Sequence, residues 1–315
     1  MAKRLAMVIN DIVSDTQSAF VANRHILDGP FILNEVLQWC KRKKKKSMFF
    51  KVDFAKAYDS VRWDFLIDVL EAFGFGSTWC KWVRGTFCHA KGSILVNGSP
   101  SSEFQFQCGL KQGDPLSPFL FILVMESLHL SVCRAVNDRL FTGIRLHDSI
   151  SLSHLFYADD ALFIGEWSDV NLRGIIQVLN CFRLASGLHI NLNKSQLLGV
   201  GVQQHVVVDM ANSIGCSVMQ NKFRYLGVMV GECMSRSKPW DDVVAKLKAR
   251  LSKWKAKTLS IGGRLTLLKS VLGASPLYNM SLFKVPKGVL KDMESIRNNF
   301  FKGANLSEKK ITWVA

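Results

Sequence analysis

No two cysteines in this 315-residue chain are spaced Cys-x₂₋₄-Cys; the eight stand singly at 40, 80, 88, 108, 133, 181, 216 and 233. That scatter argues against a zinc framework and a disulfide scaffold, and for a reducing compartment. No two of the seven histidines have metal-ligand spacing either, so they read as surface or core residues. Long apolar runs are missing: the longest, Phe119–Met125, runs into Glu126 and is too short to span a bilayer. The N-terminus, Met1-Ala2-Lys3-Arg4-Leu5, lacks a sustained apolar h-region. No membrane association and no secretion are therefore expected, which places the protein inside the cell, nuclear or cytoplasmic. Internal repeats and low-complexity linkers are absent as well.

Acidic residues are scarce. Twenty-five Asp and Glu face 41 Lys and Arg, a net charge of +16, and such an excess points to a polyanionic partner. Residues 238–315 hold sixteen Lys or Arg against five Asp or Glu. They also carry leucines, valines and tryptophans at helical spacing, which predicts a folded basic lobe rather than a tail. The run Lys41–Lys46 reads as a solvated loop able to touch backbone phosphate, with a localisation signal as the alternative.

What acid there is, is placed tellingly. Tyr157-Ala158-Asp159-Asp160 lies between the apolar runs Leu152–Phe156 and Ala161–Ile164, which predicts a hairpin with two adjacent carboxylates at its tip. Two anions on one tight turn repel, and a cation relieves that repulsion. An exposed acidic turn is the plain alternative. A third carboxylate weighs against it: Met48–Phe54 is strand-like, with Asp53 near its C-terminal end. If that strand pairs beside the hairpin, Asp53, Asp159 and Asp160 converge on an oxygen-only site suited to Mg²⁺ or Mn²⁺. Two such ions about 3.5–4 Å apart are the usual device for phosphoryl transfer.

These segments resemble the motifs of reverse transcriptases. Phe50–Asp59 looks like the first catalytic motif, Gly109–Pro118 the second, Phe156–Asp160 the third, Gly187–Ser195 the fourth, and Tyr225–Val228 the primer grip. Upstream, Gln17–Arg24 is similar to a finger motif. The similarity spans about residues 5–305 and its spelling resembles LINE-type (non-LTR) retrotransposons, close to those of plants. The resemblance implies an α+β fold: a right-hand polymerase palm of antiparallel sheet and helices, partial fingers and an α-helical thumb. Residues 1–47 would be partial fingers, 48–235 palm with interleaved finger segments, and 236–315 the basic thumb-like region. Asp53, Asp159 and Asp160 would be the metal ligands, Asp160 more as a supporting charge. Tyr58 would pack under the incoming sugar and exclude a 2′-hydroxyl. Gln112 and Gly113 would line the template base and nucleotide, Lys194 would protonate departing pyrophosphate, and Arg24 would contact triphosphate or template phosphate. For Tyr58, Lys194 and Arg24 the plain alternatives are a core aromatic, a surface lysine and a surface ion pair.

The implied activity is RNA-directed DNA synthesis: a primer 3′-hydroxyl attacks a dNTP while the basic lobe holds an RNA–DNA hybrid by shape. An N-terminal finger strand of the family is not seen ahead of Gln17, and the end stops in mid-pattern, so the chain is expected to be a truncated form. Activity lost through truncation would leave a silent nucleic-acid-binding module. A metal-dependent nuclease would use the same acids, but no water-activating His or Glu stands among the motifs.

Hydrophobic spacing predicts helices over 61–73, ended by Gly74, then a short one capped by Ser77. Others are expected from Ser117 as cap to about Val136, and over 169–186, closed by Gly187. Ser93–Val96 and Phe104–Gln107 flank Asn97–Pro100 as a hairpin. Strands are expected near 188–192, 196–200 and 223–230, and helices over 240–257, 263–274 continuing past Pro276, and 286–301. On the first of these, Val244, Leu247, Leu251 and Trp254 would be buried beneath Lys246, Lys248, Arg250, Lys253, Lys255 and Lys257.

Overall fold

The computed structural model describes residues 1–148, 150–232, 234–252, 259–272 and 276–303. The chain divides into two compact units, one ending at Asn221 and the other starting at Lys222. The primer-grip segment therefore belongs to the second.

In the first unit, helices α1 (Ala2–Ile12) and α2 (Asp28–Arg42) precede the first strand. Lys41 and Arg42 lie in the last turn of α2 rather than in a loop. Cations are favoured there by the unpaired carbonyls of the helix end. Five strands follow: β1 (Ser47–Val52), β2 (His154–Tyr157), β3 (Asp160–Glu166), β4 (Gln196–Val200) and β5 (Ser217–Val218). They form one sheet in the order β5-β4-β1-β3-β2. β1 is central and five of its six residues are buried, which is why it reads as a continuous apolar run. Its pairings with β3 and β4 are antiparallel, with Phe50 opposite Phe163 and Leu197. The antiparallel sheet expected from the sequence forms around β1, and β4 and β5 add one parallel pair at its edge. A parallel pair needs a crossover, and helix Gln204–Ile214 supplies it.

Helices α3 (Ala57–Ser60), α4 (Trp63–Ala72), α5 (Ser77–Phe87), α6 (Ser117–Asn137), α7 (Asp169–Ser186) and α8 (Gln204–Ile214) complete this unit. Gly187 closes α7 with φ +81°, as its position predicts. Two caps are corrected. Ser77 and Ser117 are first helical residues, preceded by Gly76 and Leu116, and neither helix has a side-chain cap bond. The Asn97-Gly98 hairpin is also tighter than expected. Leu95–Val96 pairs with Ser99–Pro100 across a two-residue turn, because Asn97 (φ +51°) and Gly98 (φ +84°) both adopt left-handed backbone. Phe104–Gln105 pairs instead with Lys91–Gly92.

The apolar run judged too short for a bilayer is part of α6, whose 21 residues are long and apolar enough to cross one by length and composition. Eleven of those residues are buried in this unit, and α6 packs on α1, α4 and α7.

A string of buried and half-buried polar groups ties α6 to the sheet. Ser14 Oγ donates to Glu126 Oε2 (3.1 Å) and bonds Thr16 (2.8 Å); Thr16 meets His129 Nδ1 (3.1 Å). His129 in turn bonds His154 Nε2 at 2.8 Å, and Ser153 holds the other His154 nitrogen at 2.8 Å. His154 is 1% exposed. Burial, with His129 adding to it, pushes its pKa down to about 3. In the unfolded chain this imidazole protonates near its ordinary value of about 6.5. Its contribution to stability is therefore full above pH 6.5 and is lost as pH falls towards 3. Urea midpoints measured from pH 7 to pH 4 are expected to fall, and the fall to be shallower in His154→Gln.

The second unit begins with the hairpin β6 (Phe223–Tyr225) and β7 (Val228–Val230). Its helices are α9 (Asp241–Ser252), α10 (Ile261–Leu267), α11 (Leu277–Met280) and α12 (Lys287–Phe301). Trp240, Leu247, Leu268, Val289, Met293, Ile296 and Phe300 form its core. On α9, Lys246, Lys248 and Arg250 are exposed, Leu247 is buried and Val244 is half-buried. Lys253, Trp254, Lys255 and Lys257 lie outside the described residues, as does the segment 304–315. The Leu251 side chain likewise lies outside the described residues.

Candidate active site

The acidic turn forms as its sequence predicts. Tyr157 pairs with Asp160, leaving Ala158 and Asp159 as a two-residue loop between β2 and β3. Ala158 takes φ +51°, a left-handed backbone that costs a non-glycine residue about 1–2 kcal/mol. β1 runs antiparallel to β3 with Val52 opposite Ala161, so one step further Asp53 falls opposite Asp160.

That proximity has an electrostatic consequence. Asp159 has its carboxyl raised above its ordinary value, first by the protein around it and then by the charges of Asp160 and Asp53; Lys51 pulls the other way. Its side chain still reaches solvent at the tip. Lys51 Nζ stands 3.3 Å from Asp160 Oδ1. The three carboxylates thus share one electrostatic neighbourhood. They are not closed on one point: among the described residues no group of three His, Cys, Asp or Glu has metal-holding spacing. As donors they nevertheless fit a hard divalent cation, being oxygen-only and mutually repelled without one.

Asp53 is held by its backbone. Beyond β1 the chain continues as Phe54–Ala55, paired with His189–Ile190. Residues 191–195 form an excursion opposite Asp53. Asn191 N–H donates to the Asp53 carbonyl (2.7 Å), and Asp53 N–H donates to Ser195 Oγ (3.2 Å). Ser195 is fully buried and its hydroxyl donates to the Asn191 carbonyl (2.8 Å). Lys194 lies in this excursion with its side chain exposed.

Tyr58 is half-buried, its ring stacked on Phe121 at 4.6 Å. Burial, then the charge of Asp159, pushes its phenol up to about 12. The Gly109–Gln112 loop is tied to the same region: Leu110 N–H donates to the Tyr58 carbonyl (2.7 Å) and Gly109 N–H to the Val61 carbonyl (2.8 Å). Only glycine fits at 109, where φ is +93° and a Cβ would stand 2.8 Å from the Asp59 carbonyl oxygen. Gln112 Nε2 reaches Asp59 Oδ1 at 3.4 Å, and Gly113, with φ +85°, borders open space. This loop, with Trp63, Phe87, Lys91 and Phe106, lines a cavity of about 810 Å³.

Arg24 forms an ion pair, as its plain alternative expects. Its guanidinium is 13% exposed and turned into its own loop, with a Asp15 carboxylate oxygen 3.5 Å away. One terminal nitrogen donates to the Ser14 and Gln17 carbonyls, the other to the Val13 carbonyl at 2.8 Å. This arrangement ties together the segment between α1 and α2.

Three residues near the carboxylates carry no individual role in the motifs. Lys51 was visible in principle, since in a strand it shares a face with Asp53 two positions on. Ser195 and Gln17 were not. Gln17 is 1% exposed and its Oε1 accepts the Ala158 N–H at 3.0 Å, across 141 positions of sequence.

A family model described as "Reverse transcriptase (RNA-dependent DNA polymerase)" matches residues 1–230. Among curated relatives, the Xenopus laevis "Transposon TX1 uncharacterized 149 kDa protein" is 27% identical over 283 residues, 88% of this chain and 21% of that protein. The "Retrovirus-related Pol polyprotein from type-2 retrotransposable element R2DM" of Drosophila melanogaster is 28% identical over 306 residues, 94% of this chain and 28% of that one. The chain thus spans under a third of the length of either relative. Among solved structures, telomerase of Candida tropicalis aligns with a TM-score of 0.53 at 13% identity, over 95% of this chain and 46% of that one. That likeness bears on the fold, which is shared with a polymerase of palm-and-thumb type.

Proposed function

We propose, since this chain belongs to the reverse transcriptase (RNA-dependent DNA polymerase) family, that it is the polymerase core of a LINE-type retrotransposon protein. It adds deoxynucleotides to a primer 3′-hydroxyl on an RNA template. The observation that carries this is the register that sets Asp53 opposite Asp160 beside the two-residue loop bearing Asp159. Asp53 and Asp159, supported by Asp160, would hold divalent cations, Mg²⁺ or Mn²⁺. When bound, such ions neutralise the attacking and leaving oxygens of the phosphoryl group. The chain's own residues supply position. Tyr58, rigid on Phe121, bars a 2′-hydroxyl; Gln112 and Gly113 border the nucleotide and template base; Lys194 offers a proton to the leaving pyrophosphate. Lys246, Lys248 and Arg250 on α9 track the phosphates of an RNA–DNA hybrid without reading sequence.

Primer extension on poly(rA)/oligo(dT) with Mg²⁺ and dTTP tests this. Extension abolished by EDTA is expected; hybrid binding without extension would instead mark a silent binding module. In the same assay Tyr58→Ala is expected to narrow the preference for dTTP over UTP by at least about tenfold. An unchanged ratio would remove Tyr58 from sugar selection.

A further inference from the structure

We propose that Gln17 is a positioning residue that holds the acidic turn in its working shape, an inference that rests on the reading of this turn as a polymerase centre. The backbone on either side of Gln17 is docked on β2: Phe156 N–H donates to the Thr16 carbonyl (2.8 Å) and Ser18 N–H to the Phe156 carbonyl (3.1 Å). Residues 16–18 thus extend the edge of the sheet beside the turn. Their side chain then reaches its tip. Gln17 Oε1 accepts from Ala19 N–H at 2.9 Å and from Ala158 N–H at 3.0 Å. Two donors meeting one atom require the carboxamide oxygen there, so the amide orientation follows from its partners. The group is buried, and among the described residues Nε2 has no hydrogen-bond partner. A buried carboxamide left half-satisfied is unfavourable, and a hydrophobic residue would fill the space without that penalty. What only an acceptor does here is hold the Ala158 amide while its backbone sits at φ +51°. Asp159 is the next residue. Release of this bond frees the turn to relax from its left-handed conformation and swings the Asp159 carboxylate away from Asp53.

The test uses the full chain carrying Gln17→Leu, which keeps the bulk and removes the acceptor. The Ala158 amide is expected to exchange with deuterium at least about tenfold faster, the protection being that of a single buried bond. In primer extension with dTTP, kcat is expected to fall about 10–100-fold with KM changed less than about threefold, the pattern of a misplaced reacting group. Ala158→Gly added to Gln17→Leu is expected to restore most of kcat, because glycine takes this backbone without the bond. Gln17→Glu, which keeps an acceptor, serves where the leucine variant does not fold, and it should retain the slow exchange. Unchanged exchange in Gln17→Leu overturns the proposal. So does fast exchange with an undiminished kcat, or a loss that Ala158→Gly does not repair. A wild-type chain that extends no primer would refute the polymerase reading, a separate result. The positioning role would then be decided by exchange together with Mn²⁺ affinity from electron paramagnetic resonance, expected to weaken at least about tenfold in Gln17→Leu and overturned by equal affinity.

Discussion

Asp159→Asn is expected to lower primer extension by about 10³-fold or more and, at pH 7, to raise the melting temperature. The two effects have one cause. Asp159 sits beside Asp160 and Asp53, and its raised pKa means that its charge is disfavoured in the folded chain. A folded pKa above the unfolded one gives stability that is present below the unfolded value and lost as pH rises through the folded value. At neutral pH the native carboxylate therefore weakens the fold, and the neutral amide does not. The advantage of the variant should shrink as pH falls towards the ordinary carboxylate pKa of about 3.9. Paired melts at pH 7 and pH 4, without divalent ions, check the sign. A variant less stable than wild type at pH 7 would show that the carboxylate is held by partners rather than repelled.

Phe50→Ala is expected to destabilise the first unit by about 3–5 kcal/mol, the usual loss for a fully buried phenylalanine. Phe50 is 0% exposed on the central strand, with Phe163 on one side and Leu197 on the other. No neighbour can close the gap without moving β3 or β4, and those strands carry Asp160 and the excursion that grips Asp53. Urea titration should show the loss as a lower midpoint with an unchanged slope. Phe106→Ala, at a ring 44% exposed, should change stability by less than about 1 kcal/mol.

Much of the site could be read without coordinates, for local reasons. Tyr157–Asp160 forms a hairpin because apolar runs flank a short polar turn, and α7 stops at Gly187 because only that residue takes its backbone easily. β1 is recognisable as a buried strand from its unbroken apolar run. Errors arose where local rules competed. Ser77 and Ser117 have the chemistry of caps, but Gly76 and Leu116 hold the positions before the helices. The segment Lys41–Lys46 has the composition of a loop, yet its first two residues extend α2. Contacts distant in sequence were not legible at all. Nothing near Gln17 says that it will meet Ala158, and nothing in the finger motif says that Arg24 will turn inward to three carbonyls of its own loop. Polar side chains with many possible partners acquire roles only from topology.

The grip of residues 191–195 on Asp53 has a consequence for how the protein is made. Asp53 N–H finds Ser195 across 142 positions of sequence, and β1 acquires β4 only when residues 196–200 are available. During synthesis the first motif leaves the ribosome long before its clasp does. Until then β1, with Met48, Phe49, Phe50 and Val52, is an apolar strand short of a partner and open to wrong ones. The interval between those two events is the time for which this apolar strand lacks its final partner, and slowing elongation before residue 195 would lengthen it.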